Sequence, residues 1–388
     1  MISKFDFLLV SHAKPQIGTF NSFFAYAKSI NKCSNYKVAL IYPSFGNDLK
    51  IRSEKINKNL YFISLPCLNY HKYFNLQLIR LICLFFILLR FEYKSILASG
   101  FSQPQIALPI TLIKILKKKK VVYLWDDIWG NGLGLRISFI VNKVFLICER
   151  ISLKFCDHVI YPSSYFEKRI SKLKKPSTKI YQPYIDKNKK KNNPSDLKYL
   201  KKNFKIKKNQ KIIVCMGNAF FDTENIILKA LNNLKDHMDF KCIFVGRFEP
   251  SKKNKKKFSL LLKNNIINAG FVKNRKFFND IMNIADLYIL PMARNIIEES
   301  RFPVRILDYL NRKKIIVSNA TGELRYLFKK YNLGILTQYS FQSFSKGIKK
   351  GLNLSKRNKN LFYQKQHLAL VSEFNYRKTA NKLISILK

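Results

Sequence analysis

Short apolar runs alternate with longer amphipathic segments along the first half of the chain. An apolar run of four to eight residues fits a buried strand, whereas apolar residues spaced three and four positions apart fit a helix. We therefore predict strand-helix-strand units that build a parallel sheet. The predicted strands are FDFLLV (5–10), KVALIYP (37–43), LYFISLP (60–66), SILASG (95–100) and VVYLWDD (121–127), and the predicted helices include 20–29, 76–90 and 104–117.

A second series of the same kind follows a segment rich in Lys and Asn. Residues 186–211 have no apolar periodicity over their first ten positions, which is typical of an interdomain linker. The pattern predicts two tandem doubly wound α/β domains, residues 1–185 and 212–370, with a final helix in 371–388 that could cross back to the first domain. The predicted strands of the second domain lie in KIIVCMGN, KCIFVGRF, IINAGFV, DLYILPM, KIIVSN and LGILT.

The balance of charge adds less to this picture than its size suggests. The 388 residues include 72 Lys and Arg against 23 Asp and Glu, for a net charge of +49, which would ordinarily favour a polyanionic partner. Lys, Asn, Ile and Phe are abundant together, as expected from AT-rich codons. The net charge is therefore weaker evidence for a polyanionic partner. We find no zinc finger, helix-turn-helix or aromatic-interleaved basic groove, so no specific nucleic-acid partner is expected.

Cysteine spacing and apolar segments bear on compartment. The seven cysteines form no Cys-x-x-Cys pair and no zinc-ligand spacing, so we expect reduced thiols and no metal site. The N-terminus lacks a secretory signal, and the uninterrupted apolar stretch 81–89 is about half the ~20 residues of a spanning helix. A cytoplasmic protein is expected. Apolar and basic residues interleave at 70–90 and 110–120, which leaves open either peripheral attachment to an anionic membrane surface or packing against the sheet.

Candidate ligand-binding residues follow the predicted strands. Ligands of open parallel sheets bind beyond the carboxyl ends of the strands, where loops and helix N-termini converge. The residues in these places are Asp126 and Asp127, Gly217 and Asn218, Gly246 and Arg247, Phe271 and Val272, and the loop 292–302 that leads to a helix carrying Arg305 and Asp308.

Three motifs in the second half identify a family resemblance. GFVKNRKFFNDIMNIADLYILPM, SRFPVRILDYL and IIVSNATGELRYL resemble, in this order, the C-terminal half of GT-B glycosyltransferases, in particular the retaining family 4, or glycosyl transferases group 1. SILASGFSQPQIALP, VVYLWDDIWG and ERISLKFCDHVIYPSSYFEKRI resemble the acceptor-side half of the same group. The resemblance implies two Rossmann-like domains facing each other across a cleft, and a nucleoside-diphosphate sugar as donor substrate without a further cofactor.

The resemblance assigns donor-site roles to the motif SRFPVRILDYL. Asp308 matches the second of two acidic residues eight positions apart, the one that hydrogen-bonds the ribose hydroxyls. Ser300 stands at the position of the first, which normally contacts the donor sugar, so either Glu299 replaces it from a shifted loop or the sugar is held differently. The turn between them corresponds to the diphosphate site: Arg301, Phe302, Pro303, Val304 and Arg305. The alternative for Arg305 and Asp308 is a simple ion pair on one helix face.

Other family positions differ in this chain. Gly217 is kept, but Asn218 and Glu224 stand where an Arg and a Lys would bind the diphosphate, and Arg247 could be a replacement. Phe271 and Val272 match the loop that contacts the nucleotide base, with plain core as the alternative. Gly18 and Thr19 match the glycine-bearing loop that approaches the donor phosphates.

Asp126 and Asp127 are the candidate acids of the first half. Asp126 stands where the family stretch has a His, and a carboxylate there could orient an acceptor hydroxyl or stabilise positive charge on the anomeric carbon. Asp127 is expected to be structural, and both acids could instead be turn or cap residues. His12, in the loop after the first strand, is a candidate acceptor contact.

The sequence therefore predicts a metal-independent, retaining glycosyltransferase that moves a sugar to a glycan or lipid-linked acceptor in surface polysaccharide or lipopolysaccharide synthesis. Two alternatives stay open: a GT-B-fold sugar-nucleotide epimerase, and a non-catalytic sugar-binding or partner subunit.

Overall fold

The computed structural model describes residues 4–15, 18–44, 48–67, 77–132, 138–185, 194–217 and 222–388. The chain divides into two units. Unit 1 contains residues 1–185, 299–302 and 373–388, and unit 2 contains residues 186–298 and 303–372. Each unit is built on its own sheet.

Unit 1 has an eight-stranded sheet in which seven strands are parallel and the edge strand β3 is antiparallel to β4. The order is β3-β4-β2-β1-β5-β6-β7-β8, so the chain reverses its direction of travel across the sheet between β1 and β5. The strands are β1 (Phe7–Val10), β2 (Val38–Pro43), β3 (Arg52–Asn57), β4 (Leu60–Leu65), β5 (Ser95–Ser99), β6 (Lys120–Leu124), β7 (His158–Tyr161) and β8 (Ser177–Lys179).

Helices cover both faces of this sheet. The first five helices are α1 (Gly18–Cys33), α2 (Gln77–Arg90), α3 (Pro104–Lys117), α4 (Phe139–Phe155) and α5 (Ser164–Ser171). Because side chains alternate along a strand, Leu8 and Val10 of β1 pack with α2, α3, α4 and α5 on one face, and Phe7 and Leu9 pack with α1 on the other.

Unit 2 has a six-stranded sheet that is parallel throughout, in the order β11-β10-β9-β12-β13-β14. The chain reverses its direction across this sheet between β9 and β12. The strands are β9 (Lys211–Met216), β10 (Phe240–Val245), β11 (Ile266–Gly270), β12 (Leu287–Leu290), β13 (Ile315–Ser318) and β14 (Ile335–Leu336). The remaining helices are α6 (Pro194–Asn203), α7 (Glu224–Lys235), α8 (Lys252–Lys257), α9 (Ser259–Asn264), α10 (Arg275–Ile284), α11 (Ile296–Ser300), α12 (Ile306–Leu310), α13 (Gly322–Tyr331), α14 (Phe341–Leu352), α15 (Lys356–Ser372) and α16 (Tyr376–Leu387).

The predicted fold class, two doubly wound α/β units in tandem, is confirmed by the two parallel sheets. Part of the segment predicted as a linker is a helix: α6 packs on α10, Leu200 is buried, and Phe204 contacts Phe277 with ring centroids 6.2 Å apart. The first eight residues of that segment, 186–193, lie outside the described residues.

Helix α16 belongs to unit 1. Leu383 and Leu387 are fully buried in the cluster that lies between α1 and the sheet. The backbone N–H of Tyr184 donates to the carbonyl of Phe374 at 2.7 Å, just before α16 begins.

All seven cysteines are free thiols, and five of them are buried. In the parts of the chain that the structure describes, the helices are all too short or too polar to cross a membrane.

Candidate functional site

Arg305 lies at the carboxyl ends of the two central strands of unit 2, β9 and β12. Strands β9 and β12 are neighbours in the sheet, and their following segments leave in opposite directions, which is the position where open α/β sheets bind ligands. The guanidinium of Arg305 donates to the carbonyl of Met216, at the end of β9, at 3.2 Å, and to the carbonyl of Pro291, just after β12, also at 3.2 Å. Its Nε is buried and has no hydrogen-bond partner among the described residues.

Tyr309 and Asn319 form further hydrogen bonds to the backbone at the ends of β9 and β12. The Tyr309 hydroxyl accepts from the backbone N–H of Met216 at 2.7 Å and donates to the carbonyl of Ile289 at 3.2 Å. The Asn319 side chain bonds both the N–H and the carbonyl of Met292, each at 2.8 Å. Our sequence reasoning missed both residues, although Asn319 directly follows β13 and that position was a usable signal.

Asp308 sits in the first turn of α12 and faces α10. Its carboxylate lies 3.8 Å from the guanidinium of Arg275, the first residue of α10, and its side chain is about one-third exposed. An ion pair between Arg305 and Asp308 was the alternative reading, and it is wrong, because Arg305 binds the two strand-end carbonyls instead. Asp308 thus lies at the carboxyl edge of the sheet, beside the segment that follows β11.

The turn before Asp308 uses its own backbone donors. The N–H groups of Ile306, Leu307 and Asp308 bond carbonyls three residues earlier, at 3.0, 3.1 and 3.2 Å. Helix α12 has only five residues, so its dipole is small. The positive charge at this edge therefore comes from the Arg305 and Arg275 side chains rather than from the turn.

The residues before this turn are divided between the units. Glu298, in unit 2, is buried, and its N–H donates to the Asn295 side chain at 2.9 Å. Glu299 and Ser300 belong to unit 1, where Glu299 is partly exposed and Ser300 fully buried. Arg301 is partly exposed in the same unit.

Phe302 and Pro303 are both buried, and the boundary between the two units falls between them. Phe302 stacks on Phe374 at 5.7 Å within unit 1. Val304, which follows Pro303 in unit 2, is partly exposed.

The remaining donor-side candidates of unit 2 lie at the ends of β9, β10 and β11. Gly217 donates to the carbonyl of Val245, which ties the end of β9 to that of β10. Arg247 pairs with Glu249 at 3.0 Å, and both side chains are about two-thirds exposed. Phe271 is half exposed and Val272 partly exposed, so the core reading of Phe271 is wrong. Asn218 lies outside the described residues.

In unit 1, His12 lies at the corresponding position, where the chain reverses its direction across the sheet between β1 and β5. Its Nδ1 lies 3.0 Å from the Oγ of Ser99, and its ring meets Trp129 edge-on at 5.5 Å. Burial, with a smaller contribution from the nearby Arg80 cation, lowers the pKa of His12 to about 3. The ring is therefore neutral at physiological pH and is buried beside the carboxyl ends of β1 and β5.

Asp126 follows β6, the strand next to β5, and forms a hydrogen bond with Thr19. The Thr19 hydroxyl, in the first turn of α1, donates to Oδ2 of Asp126 at 2.9 Å. Burial, and next the like charge of Asp127, raise the pKa of Asp126 well above its ordinary value, against the hydrogen bond from Thr19. Gly18 is the first residue of α1, and an added Cβ there would meet no atom within 4 Å.

Glu149 is a second buried carboxyl of unit 1. It accepts from the Ser102 hydroxyl at 2.8 Å, and burial raises its pKa to about 7. Our sequence reasoning missed Glu149 because it stands inside α4, where a single acid gives no signal.

Each unit presents chemically active side chains at the carboxyl ends of its strands. Unit 2 offers two arginines and a carboxylate, which suit an anionic, hydroxyl-bearing ligand. Unit 1 offers a carboxyl with a raised pKa, which suits proton exchange. Across the described ranges, His, Cys, Asp and Glu side chains form no cluster of three that could hold a metal ion.

Comparison with known proteins identifies the fold of the chain and a family resemblance of its second half. Residues 198–367 match the family model of glycosyl transferases group 1. A glycosyltransferase from Rickettsia africae has a TM-score of 0.71 and 15% identity, covering 99% of this chain and 98% of its own. Anabaena HepE, solved with UDP and glucose, has a TM-score of 0.72 and 14% identity, covering 99% of both chains.

A sucrose-phosphate synthase from Thermosynechococcus elongatus has a TM-score of 0.71 and 12% identity, covering 98% of both chains. No curated protein sequence matches the chain. The chain therefore has the GT-B fold, and its C-terminal half resembles the glycosyl transferases group 1.

Proposed function

We propose that the protein is a retaining glycosyltransferase that moves a sugar from a nucleoside-diphosphate sugar to a glycan or lipid-linked acceptor. The observation that carries the proposal is the place of Arg305 at the carboxyl ends of the neighbouring strands β9 and β12, within the half that matches the glycosyl transferases group 1 model. Anabaena HepE has been solved with UDP-glucose, which supports a nucleotide sugar as the donor class.

On the donor side, Arg305 and Asp308 have separate roles. The fixed charge of Arg305 stabilises the negative charge that grows on the leaving nucleoside diphosphate, and Arg275 adds to it. The Asp308 carboxylate accepts hydrogen bonds from the ribose hydroxyls, since its two oxygens suit a vicinal diol. Phe271 and Val272 flank the base, and the donor needs no resident cofactor.

Asp126 has the acceptor-side role. Its carboxyl, oriented by Thr19, holds an acceptor hydroxyl or stabilises positive charge at the anomeric carbon. The like charge of Asp127 raises the pKa of Asp126. His12 stays a candidate acceptor contact. We place the reaction in the cytoplasm, in surface polysaccharide or lipopolysaccharide assembly.

A donor screen tests the proposal. Nucleoside-diphosphate release is measured for a panel of nucleotide sugars with wild type, Asp308→Ala and Asp126→Ala. We expect Asp308→Ala to raise the KM for the donor, and Asp126→Ala to lower kcat by about 10²-fold or more, as for loss of a positioned acid-base group. Asp236→Ala, which removes an exposed acid at the far end of α7, is the matched control. Equal effects of all three substitutions would refute the assigned roles.

A non-catalytic binding protein is the second candidate, and Glu224 favours it. Glu224 stands where a cation would face the diphosphate, and its carboxylate instead accepts from the N–H of Ser251 at 2.9 Å, next to α8. Ser300, fully buried, replaces the acid that would contact the sugar. Calorimetric titration of nucleoside diphosphates separates the cases: binding without turnover of any donor supports the second candidate.

A further inference from the structure

Three neighbouring helices of unit 1 expose large apolar side chains on their outer sides. Helix α3 packs between α2 and α4, and all three cover the same face of the sheet. We call their outer surface the α2–α4 face. Its apolar residues that are at least 40% exposed are Leu78, Ile82, Phe86 and Leu89 of α2, Leu108, Leu112, Ile115 and Leu116 of α3, and Phe139, Ile140 and Ile147 of α4.

The exposure follows helical spacing and is not scattered. In α2 the exposed residues recur at intervals of four and three positions, whereas Leu84 and Leu88 point to the sheet and are fully buried. Leu78 is 66% exposed and Ile140 is 72% exposed. Each helix is thus apolar on both sides, and soluble monomers rarely expose contiguous apolar patches of this extent.

The charges of the α2–α4 face have one sign. Arg90, Lys143, Arg150 and Lys154 are exposed on these helices. The single acid on the three helices is Glu149, which is buried and bonded to Ser102. A surface that combines exposed apolar side chains with unopposed cations is complementary to anionic headgroups above an apolar layer.

We propose that the α2–α4 face docks the protein on the surface of an anionic phospholipid bilayer. The lysines and arginines bind the headgroup phosphates, and the leucines, isoleucines and phenylalanines enter the boundary of the acyl chains. A second copy of this chain is a poorer occupant, because a self-complementary contact would bring these cations together without acids to neutralise them.

Docking on this face would deliver a lipid-linked acceptor to unit 1, which rests on the proposed function. Phe139 and Ile140 open α4, and the connection from β6 to α4 carries Asp126 and Trp129. Trp129 packs on the buried side chain of Phe145 of α4 with ring centroids 5.7 Å apart, so this connection packs against α4 within unit 1. The connection that carries Asp126 thus packs against the first turns of α4, where Phe139 and Ile140 of the α2–α4 face are exposed.

Vesicle co-sedimentation tests the apolar part. The full chain is mixed with phosphatidylglycerol/phosphatidylethanolamine vesicles and with phosphatidylcholine vesicles at physiological salt. We expect the wild type to bind the anionic vesicles, and Leu78→Gln/Leu112→Gln/Leu116→Gln to weaken this binding by about tenfold or more, because each lost side chain removes buried apolar area. The matched control is Leu260→Gln/Leu361→Gln/Leu368→Gln, three exposed leucines of unit 2, which should bind within about twofold of wild type.

Charge variants test the electrostatic part against the high net charge of the whole chain. Lys143→Glu/Arg150→Glu/Lys154→Glu should lose anionic binding, while Lys252→Glu/Lys253→Glu/Lys256→Glu, with the same change in net charge on α8, should keep most of it. All substituted side chains are exposed, and melting temperatures equal to wild type show that each variant is folded.

Four outcomes overturn the proposal: no binding to anionic vesicles, equal binding to neutral and anionic vesicles, equal losses in the α2–α4 and control variants, or a dimer in sedimentation velocity that the α2–α4 substitutions dissociate. Nucleoside-diphosphate release is measured separately from the vesicles, in detergent solution, with glycan and lipid-linked acceptors. Vesicle binding without turnover therefore refutes the proposed function and leaves the docking surface standing, and turnover without vesicle binding does the reverse.

Discussion

The guanidinium of Arg305 joins two strand ends that the chain leaves in opposite directions. Replacing it by methionine keeps most of the volume and leaves the carbonyls of Met216 and Pro291 without their donor. We expect Arg305→Met to destabilise unit 2 by about 1–3 kcal/mol, the usual cost of removing a charged donor from partly buried acceptors. Thermal unfolding together with hydrogen exchange of residues 211–217 measures this.

Arg247→Met is the control for this substitution. Its ion pair with Glu249 is exposed to solvent, so we expect no measurable change in melting temperature. If Arg247→Met is as destabilising as Arg305→Met, the stabilising role assigned to the Arg305 bridge is wrong.

The carboxyl of Asp126 predicts a pH dependence. Burial is the largest cause of its raised pKa, and the charge of Asp127 adds to it. If Asp126 acts as a carboxylate, turnover rises as pH increases through this raised pKa. Asp127→Asn removes the like charge, lowers the pKa of Asp126 and shifts the rising limb of the kcat profile to lower pH.

The control is Glu92→Gln, an exposed acid before β5, at the opposite edge of the sheet. Its profile should match wild type. A rising limb that stays in place in Asp127→Asn would mean that Asp126 does not set the pH dependence.

At this scale the sequence located the candidates but not their partners. Asp126 could be placed after a strand because the apolar run VVYLW ends there. Its bond to Thr19 spans 107 positions, and no local pattern carries contacts of that range. Glu149 was invisible for the same reason, since its partner Ser102 lies on another connection.

At the scale of elements, the start of α1 gives a sharp test. Gly18 has open space where a Cβ would be, so Gly18→Ala should leave the melting temperature unchanged or slightly raised, because alanine favours helix. If the donor phosphates approach this backbone, the same methyl raises the KM for the donor. Both quantities are measured on one preparation by thermal unfolding and nucleoside-diphosphate release.

Gly100→Ala is the contrasting substitution. Gly100 has φ +72°, and a Cβ there would collide with the His12 ring, so this change should lower the melting temperature. A donor KM unchanged in Gly18→Ala would remove Gly18 from the donor site.

Elements with buried apolar runs could be predicted, and elements without them could not. Strand β1 is clear in the sequence because it is apolar and buried at all four positions, and helix α3 because its buried residues recur at helical spacing. Strand β3 is exposed at all six positions and reads RSEKIN, so nothing in its composition indicates a strand. It forms because β4 offers an open edge. Helix α6 was hidden by its lysines, with Leu200 as its single deeply buried described residue.

At the scale of the whole molecule, the chain returns to unit 1 twice. Residues 299–302 and 373–388 both belong to unit 1, although the first segment interrupts unit 2 in sequence and the second follows it. The ring of Phe302 lies 5.3 Å from that of Tyr181 and 5.7 Å from that of Phe374, so these segments share one aromatic cluster. A four-residue return has no periodicity, which is why sequence reasoning could suggest the C-terminal helix but not residues 299–302.

Because residues 373–388 belong to unit 1, a substitution in the C-terminal helix should destabilise that unit and not unit 2. Leu383 of α16 is fully buried between α1 and the sheet of unit 1, so Leu383→Ala should destabilise unit 1 by about 2–5 kcal/mol through lost burial and a residual cavity. Hydrogen exchange should then become faster in β1 and β2, because these strands pack in the same cluster as Leu383 although they lie 340 or more positions before it in sequence. Exchange in β9 and β10 should stay unchanged. Leu361→Ala, at a half-exposed leucine of α15, is the matched control and should leave both sheets as they were. Faster exchange confined to β9 and β10 in Leu383→Ala would contradict the assignment of α16 to unit 1, because the strands that lose protection report which core the leucine fills.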